Sequence, residues 1–474
     1  AIGIQSGQTQ QRGSAIAIGY QAAVQYQGYF GVAIGSLAGK NTQGQSTVAI
    51  GDSTAFNAQG SGAVAVGWQA GFNTQGTNAI AIGVNAGLDY QGPSTVAIGN
   101  STGLYFQGSG AIAVGNEAGA STQGINAVAI GVQAGQTQQG SQAVAVGYQA
   151  GQTQQGYQAV AIGKYAGQFN QGASSIAIGG QAGQTQQGIG SIAIGFGAGQ
   201  ILSGRNSVAI GDTSGAFSQG SGAIAIGYQA AFTQQGTQAV AIGSQAGLYT
   251  QGTHAIAIGY HAGYFSQGTG TISIGALAGK TQQGDLSVAI GYLAGQNSQG
   301  STSVAIGCYS GNVSQGFYAV SICPNTSSFP QISQGDYTVA VGSLAGQTLQ
   351  GNFAVSVGYA AGQYSQGAFS TAIGYNAAFR NQSTQAVALG NQAAQYSQGG
   401  GSIAIGSFAG NTQQGTQAIA IGFAAAQSNQ ANNSIMIDAT ATGTASAPTA
   451  SACYILPIRG VAGPNVLNYN PTTL

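Results

Sequence analysis

The chain has 474 residues, 84 of them Gly and only 3% charged, with seven basic residues balancing seven acidic ones. Its 43% apolar content, mostly Ala, Ile and Val, excludes a polar disordered chain, and Gly off any three-residue period with only 7 Pro excludes collagen. Zero net charge excludes the Lys/Arg face that a nucleic acid or an anionic membrane surface would require, and Gly breaks every apolar run before it is long enough for a transmembrane helix.

The sequence starts at Ala1, without Met, already in phase with a repeat, which reads as a processed or incomplete N-terminus. From Ala63 to Gly92, "AVAVGWQAGFNTQGTNAIAIGVNAGLDYQG" states one pattern twice. The glycine after "AIAI" recurs every 16 residues from Gly3, Gly19 and Gly35 to Gly307. Cys323 takes the next station, and a three-residue insertion in "PNTSSFPQISQG" shifts the phase. Gly342 to Gly422 then keep the spacing of 16, and Asp438 holds the last station.

Alternation in A-I-A-I has the period of a strand, not of a helix. The glycine stations at "IG" and "QG" suit corners that need positive φ. Each unit therefore reads as one coil of two short strands, pairing in parallel with its copies about 4.8 Å away. The predicted fold is all-β: a parallel β-roll or β-solenoid of about 28 sixteen-residue coils over residues 1–438, on the order of 130 Å long. A non-repetitive closing or neck segment follows at 439–474. Ile and Val are expected to fill the coil, so Asp at Ile80 or Ile82 would disrupt stacking. The Ala face is expected outside, as a flat apolar stripe that another copy would cover.

Before the second corner stands a Gln: Gln27, Gln43, Gln59, Gln75, Gln91 and onward to Gln430, with Ser203 the exception. Such a column reads as a structural ladder of stacked amides. The corner leaves open whether it points in or out. Six residues past each first-corner glycine is a mixed column of Thr and aromatic residues. Its rings are Tyr105, Phe169, Phe217, Tyr249, Phe265, Tyr364 and Tyr396. They form a candidate contact surface, or simply fill space between coils or chains. Cys308 and Cys323 lie one coil apart, within reach of a disulfide unless their side chains oppose; otherwise they are two packed thiols.

Chemistry is sparse. The seven acids and seven bases are mostly several coils apart, so no pair converges for general acid/base work. His254 and His261 have neither Cys nor carboxylate near them in sequence and read as surface residues. No catalytic, metal or cofactor site is expected, and the chain reads as no enzyme.

"SVAIG" and "AIAIG" followed by "xxAG" resemble the head repeat of YadA-type trimeric autotransporter adhesins, over residues 1 to about 438. The resemblance implies a left-handed parallel β-roll with three chains around one axis. The period of 16, with its added "QG", is longer than is common in those heads. "QTQQGxxAIAIG", with "PIRGVA" and "LNYNPTT" near the C-terminus, is similar to fibre proteins of large DNA viruses and phages. The expected function is a non-enzymatic extracellular or virion surface fibre. It would self-associate as a homotrimer and touch host glycans or a surface protein, with no nucleic acid and no membrane insertion. The alternative is a structural filament without a receptor. An ice-binding solenoid ranks lower, because Phe, Tyr, Gln and Asn break every Thr column.

Overall fold

The computed structural model describes residues 1–322, 330–440 and 447–456. Every element among them is a short β-strand. The chain divides into two compact units, Ala1–Leu286 and Ser287–Leu474.

In the first unit, 17 three-residue strands from Ile16–Ile18 to Ile272–Ile274 recur every 16 residues. Each pairs in parallel with its copies: Ile80, Ala81 and Ile82 face Val96, Ala97 and Ile98 on one side and Val64, Ala65 and Val66 on the other. A second series of two- or three-residue strands, each ending on the recurrent Gln or on Ser203, pairs the same way, as Tyr90 and Gln91 do with Phe106 and Gln107. The second unit repeats both series, with ten strands of the first kind from Val288–Ile290 to Ile435–Asp438. Cys453–Leu456 pairs in parallel with Ile435–Asp438. The solenoid and its sixteen-residue spacing are thus as the sequence predicts.

The inside of the coil is the reverse of the expectation. Within the coils the strand Ala residues are buried, Ala17, Ala33, Ala49, Ala65 and Ala81 completely, while Ile and Val beside them are half-buried or exposed. The reason is the thickness of the interior. A methyl group placed on Gly71 would lie only 3.4 Å from the Cβ of Ala65 and 3.1 Å from the Gln75 carboxamide. At the strand positions there is room for Ala or Ser beside a flat amide, and none for Ile or Val; β-branched Thr, as at Thr54 and Thr47, is buried only at the corners. The core is a column of Ala from the strands, Ala from the first corner, and Ala, Ser or Thr from the second. In the second unit, Met436 replaces Ala in that column and packs with Ala447 and Tyr454.

The corner glycine holds the stack this close. Gly67 sits at φ +131°, and a Cβ there would meet the carbonyl oxygen of Gly83 at 2.5 Å. Other corner positions take the left-handed region without glycine, among them Gln69, Ala23 and Ala55. Backbone bonds between coils, such as Ile80 N–H to Thr95 O at 2.9 Å and Gly83 N–H to Val66 O at 2.8 Å, satisfy the turns as well as the strands.

Candidate interaction surface

Because Ala points inward, Ile and Val point out. Ile82 is 39% exposed, and Ile18, Ile34, Ile50, Ile98 and Ile130 are similar, with Val32, Val48 and Val64 half-buried beside them. In the first unit, 17 such strands at about 4.8 Å spacing and about 10 Å width make an apolar stripe of roughly 800 Å². That exceeds the roughly 300–600 Å² of the largest patch on an ordinary monomer. The second unit carries the same face, including Ile306, Ile322 and Leu389. The expected Ala stripe is therefore corrected to an Ile/Val stripe. Sequence alternation gives both candidates, and only the interior width decides between them.

The Gln column lies inside. Gln27, Gln43, Gln59, Gln75 and Gln91 are all buried. Gln43 Nε2 donates to Val32 O at 2.9 Å and to Gln59 Oε1 at 3.0 Å, and Gln59 Nε2 donates to Gln75 Oε1 at 3.0 Å. Gln27 and Gln91 donate across the coil to Ile16 O and Ile80 O, at 2.8 and 2.7 Å. Two further amide ladders lie nearer the surface, and a carboxylate ends each. Asn41 donates to Asn57, Asn57 to Asn73, and Asn73 to Asp89 Oδ1 at 2.6 Å. In the opposite direction Gln168 donates to Gln152 and Gln152 to Gln136, and Gln136 donates to Glu117 Oε2 at 2.7 Å. A run of amide donors pointing one way ends best on a charged acceptor. The sequence signal is an acid 16 residues from an amide: Asp89 follows Asn73 at that spacing, and Glu117 precedes Gln133 at it, Gln133 donating to the same Glu117 oxygen that Gln136 reaches from 19 residues away.

The predicted aromatic column is on the surface. Tyr105, Phe169, Phe217, Tyr249, Phe265 and Tyr396 are exposed and Tyr364 is half-buried. Phe169 stands between Thr153 and Thr185 in register, and Tyr364 between Thr348 and Arg380. Of the seven, only Tyr249 and Phe265 occupy adjacent coils, and their rings stack 5.2 Å apart and 7° from parallel. Tyr264 meets both edge-on, at 5.5 and 4.6 Å. His261 lies between Tyr260 and Tyr264, at 3.9 and 4.6 Å. Burial and then the charge of Lys280 lower the His261 pKa, while burial and then Tyr249 raise that of Tyr264. His254 is elsewhere, on Gln238 at 2.7 Å. Cys308 is partly exposed, and Cys323 lies outside the described residues.

Among the described residues no three His, Cys, Asp or Glu side chains group as metal ligands, and no helix is long and apolar enough to cross a membrane. Grooves of 470, 350 and 390 Å³ are shallow and lined by Gln, Ser, Thr, Asn and Gly with a single Leu, so none assembles a charged reactive pair.

Two stretches of the chain match the YadA head domain repeat, residues 203–230 and 235–262. The repeat is thus YadA-like in sequence, and its coil is a parallel β-solenoid turn consistent with such a head repeat, with "VAIG" as its three-residue strand and corner. The second matched stretch contains Tyr249, Tyr260 and His261. No curated protein matches the chain.

Proposed function

We propose that the protein is a non-enzymatic fibre of a cell or virion surface, a homotrimer of left-handed coils joined along the Ile/Val stripe. The exposed stripe carries this reading. Within each unit Ile80, Ile82 or their equivalents form an uncharged face repeated from coil to coil, and burying such a face in a closed symmetric assembly removes it from water. The likeness of residues 203–230 and 235–262 to the YadA head repeat supports the same reading. Near-zero net charge supports it too, because it leaves association unopposed. Host contact would fall to the surfaces turned away from the stripe.

Cryo-electron microscopy of the purified chain tests this, with light scattering for mass. Discrete particles with a threefold cross-section, Ile/Val at the shared axis and a left-handed path are the expected result. Single-chain particles would overturn the trimer. Continuous filaments would favour the purely structural reading.

A further inference from the structure

The rings around His261 stand apart from the rest of the surface. Tyr249, Tyr260, His261, Tyr264 and Phe265 lie in two adjacent coils, and Lys280 is in the third. Elsewhere in the column of Phe265 a ring is followed one coil on by a residue that is not aromatic: Ser121 after Tyr105, Thr185 after Phe169, Thr233 after Phe217, Arg380 after Tyr364 and Thr412 after Tyr396. Phe265 itself precedes Thr281, whose carbonyl accepts Ser266 N–H at 2.9 Å, so one ring face is turned toward a small neighbour. Phe265 is 45% exposed and Tyr249 is 40%.

The charge around this cluster is one-sided. From residue 213 to residue 284 the sequence has no Asp or Glu, while Lys280, His254 and His261 fall within it. Lys280 backs the cluster directly: its carbonyl accepts Phe265 N–H at 2.9 Å, and its charge acts on His261. No carboxylate pairs with Lys280 among the described residues. An open ring face takes the C–H face of a pyranose, phenol hydroxyls bond its hydroxyls, and an unpaired ammonium takes a carboxylate. A neutral sugar would leave the cation unused, and a polyanion would find only one.

We infer that Tyr249, Tyr264, Phe265 and Lys280 form a binding site for an acidic saccharide, one pyranose stacked on Phe265 with its carboxylate at Lys280. This names a ligand class for the surface fibre proposed above and rests on that reading, while the site itself lies within one chain. A sialic acid and a uronic acid share the chemistry.

The test is titration calorimetry on the full-length assembly, with 3′-sialyllactose, tri-galacturonate and lactose as probes. Saturable binding of either acidic probe, at least tenfold tighter than lactose, is expected. Which of the two binds identifies the source of the carboxylate. Phe265→Thr and Tyr249→Thr, residues the repeat already uses in that column, should abolish binding with melting unchanged. Lys280→Gln should weaken the acidic probe about tenfold and bring it level with lactose, and added salt should act in the same direction. Lys164→Gln, beside Tyr165 in another coil, should change nothing. No binding of either acid at 10 mM (about 2.7 kcal/mol of standard free energy), or binding insensitive to both Phe265→Thr and Lys280→Gln, would overturn the site. Light scattering on the same samples keeps its failure distinct from failure of the trimer.

Discussion

The side chain of Gln59 spans its coil and ends on Val48, with Nε2 2.8 Å from the Val48 carbonyl oxygen. The same nitrogen reaches the Ala63 carbonyl at 3.2 Å and Gln75 Oε1 at 3.0 Å. One amide thus ties both strand series and the next coil together, in an interior otherwise made of methyl groups.

Gln59→Leu keeps the volume and deletes these bonds. Each buried group left without a partner costs about 1–3 kcal/mol. The expected outcome is faster amide hydrogen exchange at Val48, Ala63 and their neighbours, with coils several repeats away unchanged. Uniform protection along the stack would show that the amide adds nothing.

Ser203 breaks the ladder. It stands between Gln187 and Gln219 in register, and its hydroxyl turns back to Gly199 O at 3.0 Å. Gln219 Oε1 receives no hydrogen bond there. Ser203→Gln would supply a donor to Gln219 and a second to the Ile192 carbonyl, as Gln187 already donates to Ile176 O at 2.8 Å. A gain of about 1 kcal/mol is expected, read as a raised denaturation midpoint. A lowered midpoint would mean the site is shaped for Ser.

The inverted strand faces give opposite outcomes at neighbouring residues. Ala81 is fully buried and Ile82 is 39% exposed. Ala81→Leu should overpack the coil, at a cost of about 1–3 kcal/mol, and should lower the melting temperature of the chain in any oligomeric state. Ile82→Asp should leave the coil's circular dichroism intact and lower the oligomer mass, because the carboxylate would be buried only between chains. Loss of coil structure in Ile82→Asp with tolerance of Ala81→Leu would restore the reverse packing.

That pair also marks how far the sequence could be read. Spacing and alternation specify the coil, its period, its parallel pairing and its glycine corners, since each follows from residues 16 apart. They leave open which face of "AIAI" is inside, because alternation is symmetric. The missing quantity is the gap between the two strand series. The small residues at position four past the corner, such as Gly71 and Ala55, are the sequence trace of that narrow gap. The rings of the candidate site were visible as a column, yet stacking of Tyr249 on Phe265 and the position of His261 depend on neighbouring coils meeting around a corner. Glu117 and Asp89 were visible only as isolated acids, because their role depends on the direction of the amides that end on them.

Two glycines in one coil should respond differently to Ala. At Gly67 the added methyl meets backbone at φ +131°, so Gly67→Ala should cost upwards of about 1–3 kcal/mol and unlock the local stack. At Gly71, φ is +59° and the nearest atoms are the movable Gln75 carboxamide. Ala occupies the equivalent position at Ala23 and Ala55, with φ 50° and 48°. Gly71→Ala should therefore cost only about 1 kcal/mol. Equal midpoints for the two variants would remove the close-approach explanation.

His261 supplies the pH dependence. Burial first, and the Lys280 charge second, hold its pKa below 6.5. The folded state therefore disfavours the imidazolium relative to the unfolded chain. Its contribution to stability is complete above the unfolded value of about 6.5 and is lost as pH falls through that value toward the folded pKa. Lys280→Gln removes one of the two causes and should raise the His261 pKa part of the way back, while burial between Tyr260 and Tyr264 keeps it below the ordinary value. Nitrogen-15 NMR of histidine-labelled protein, with and without Lys280→Gln, measures this directly. A His261 titration at or above the ordinary value of about 6.5 would mean that the ring is solvated rather than packed between the two tyrosines.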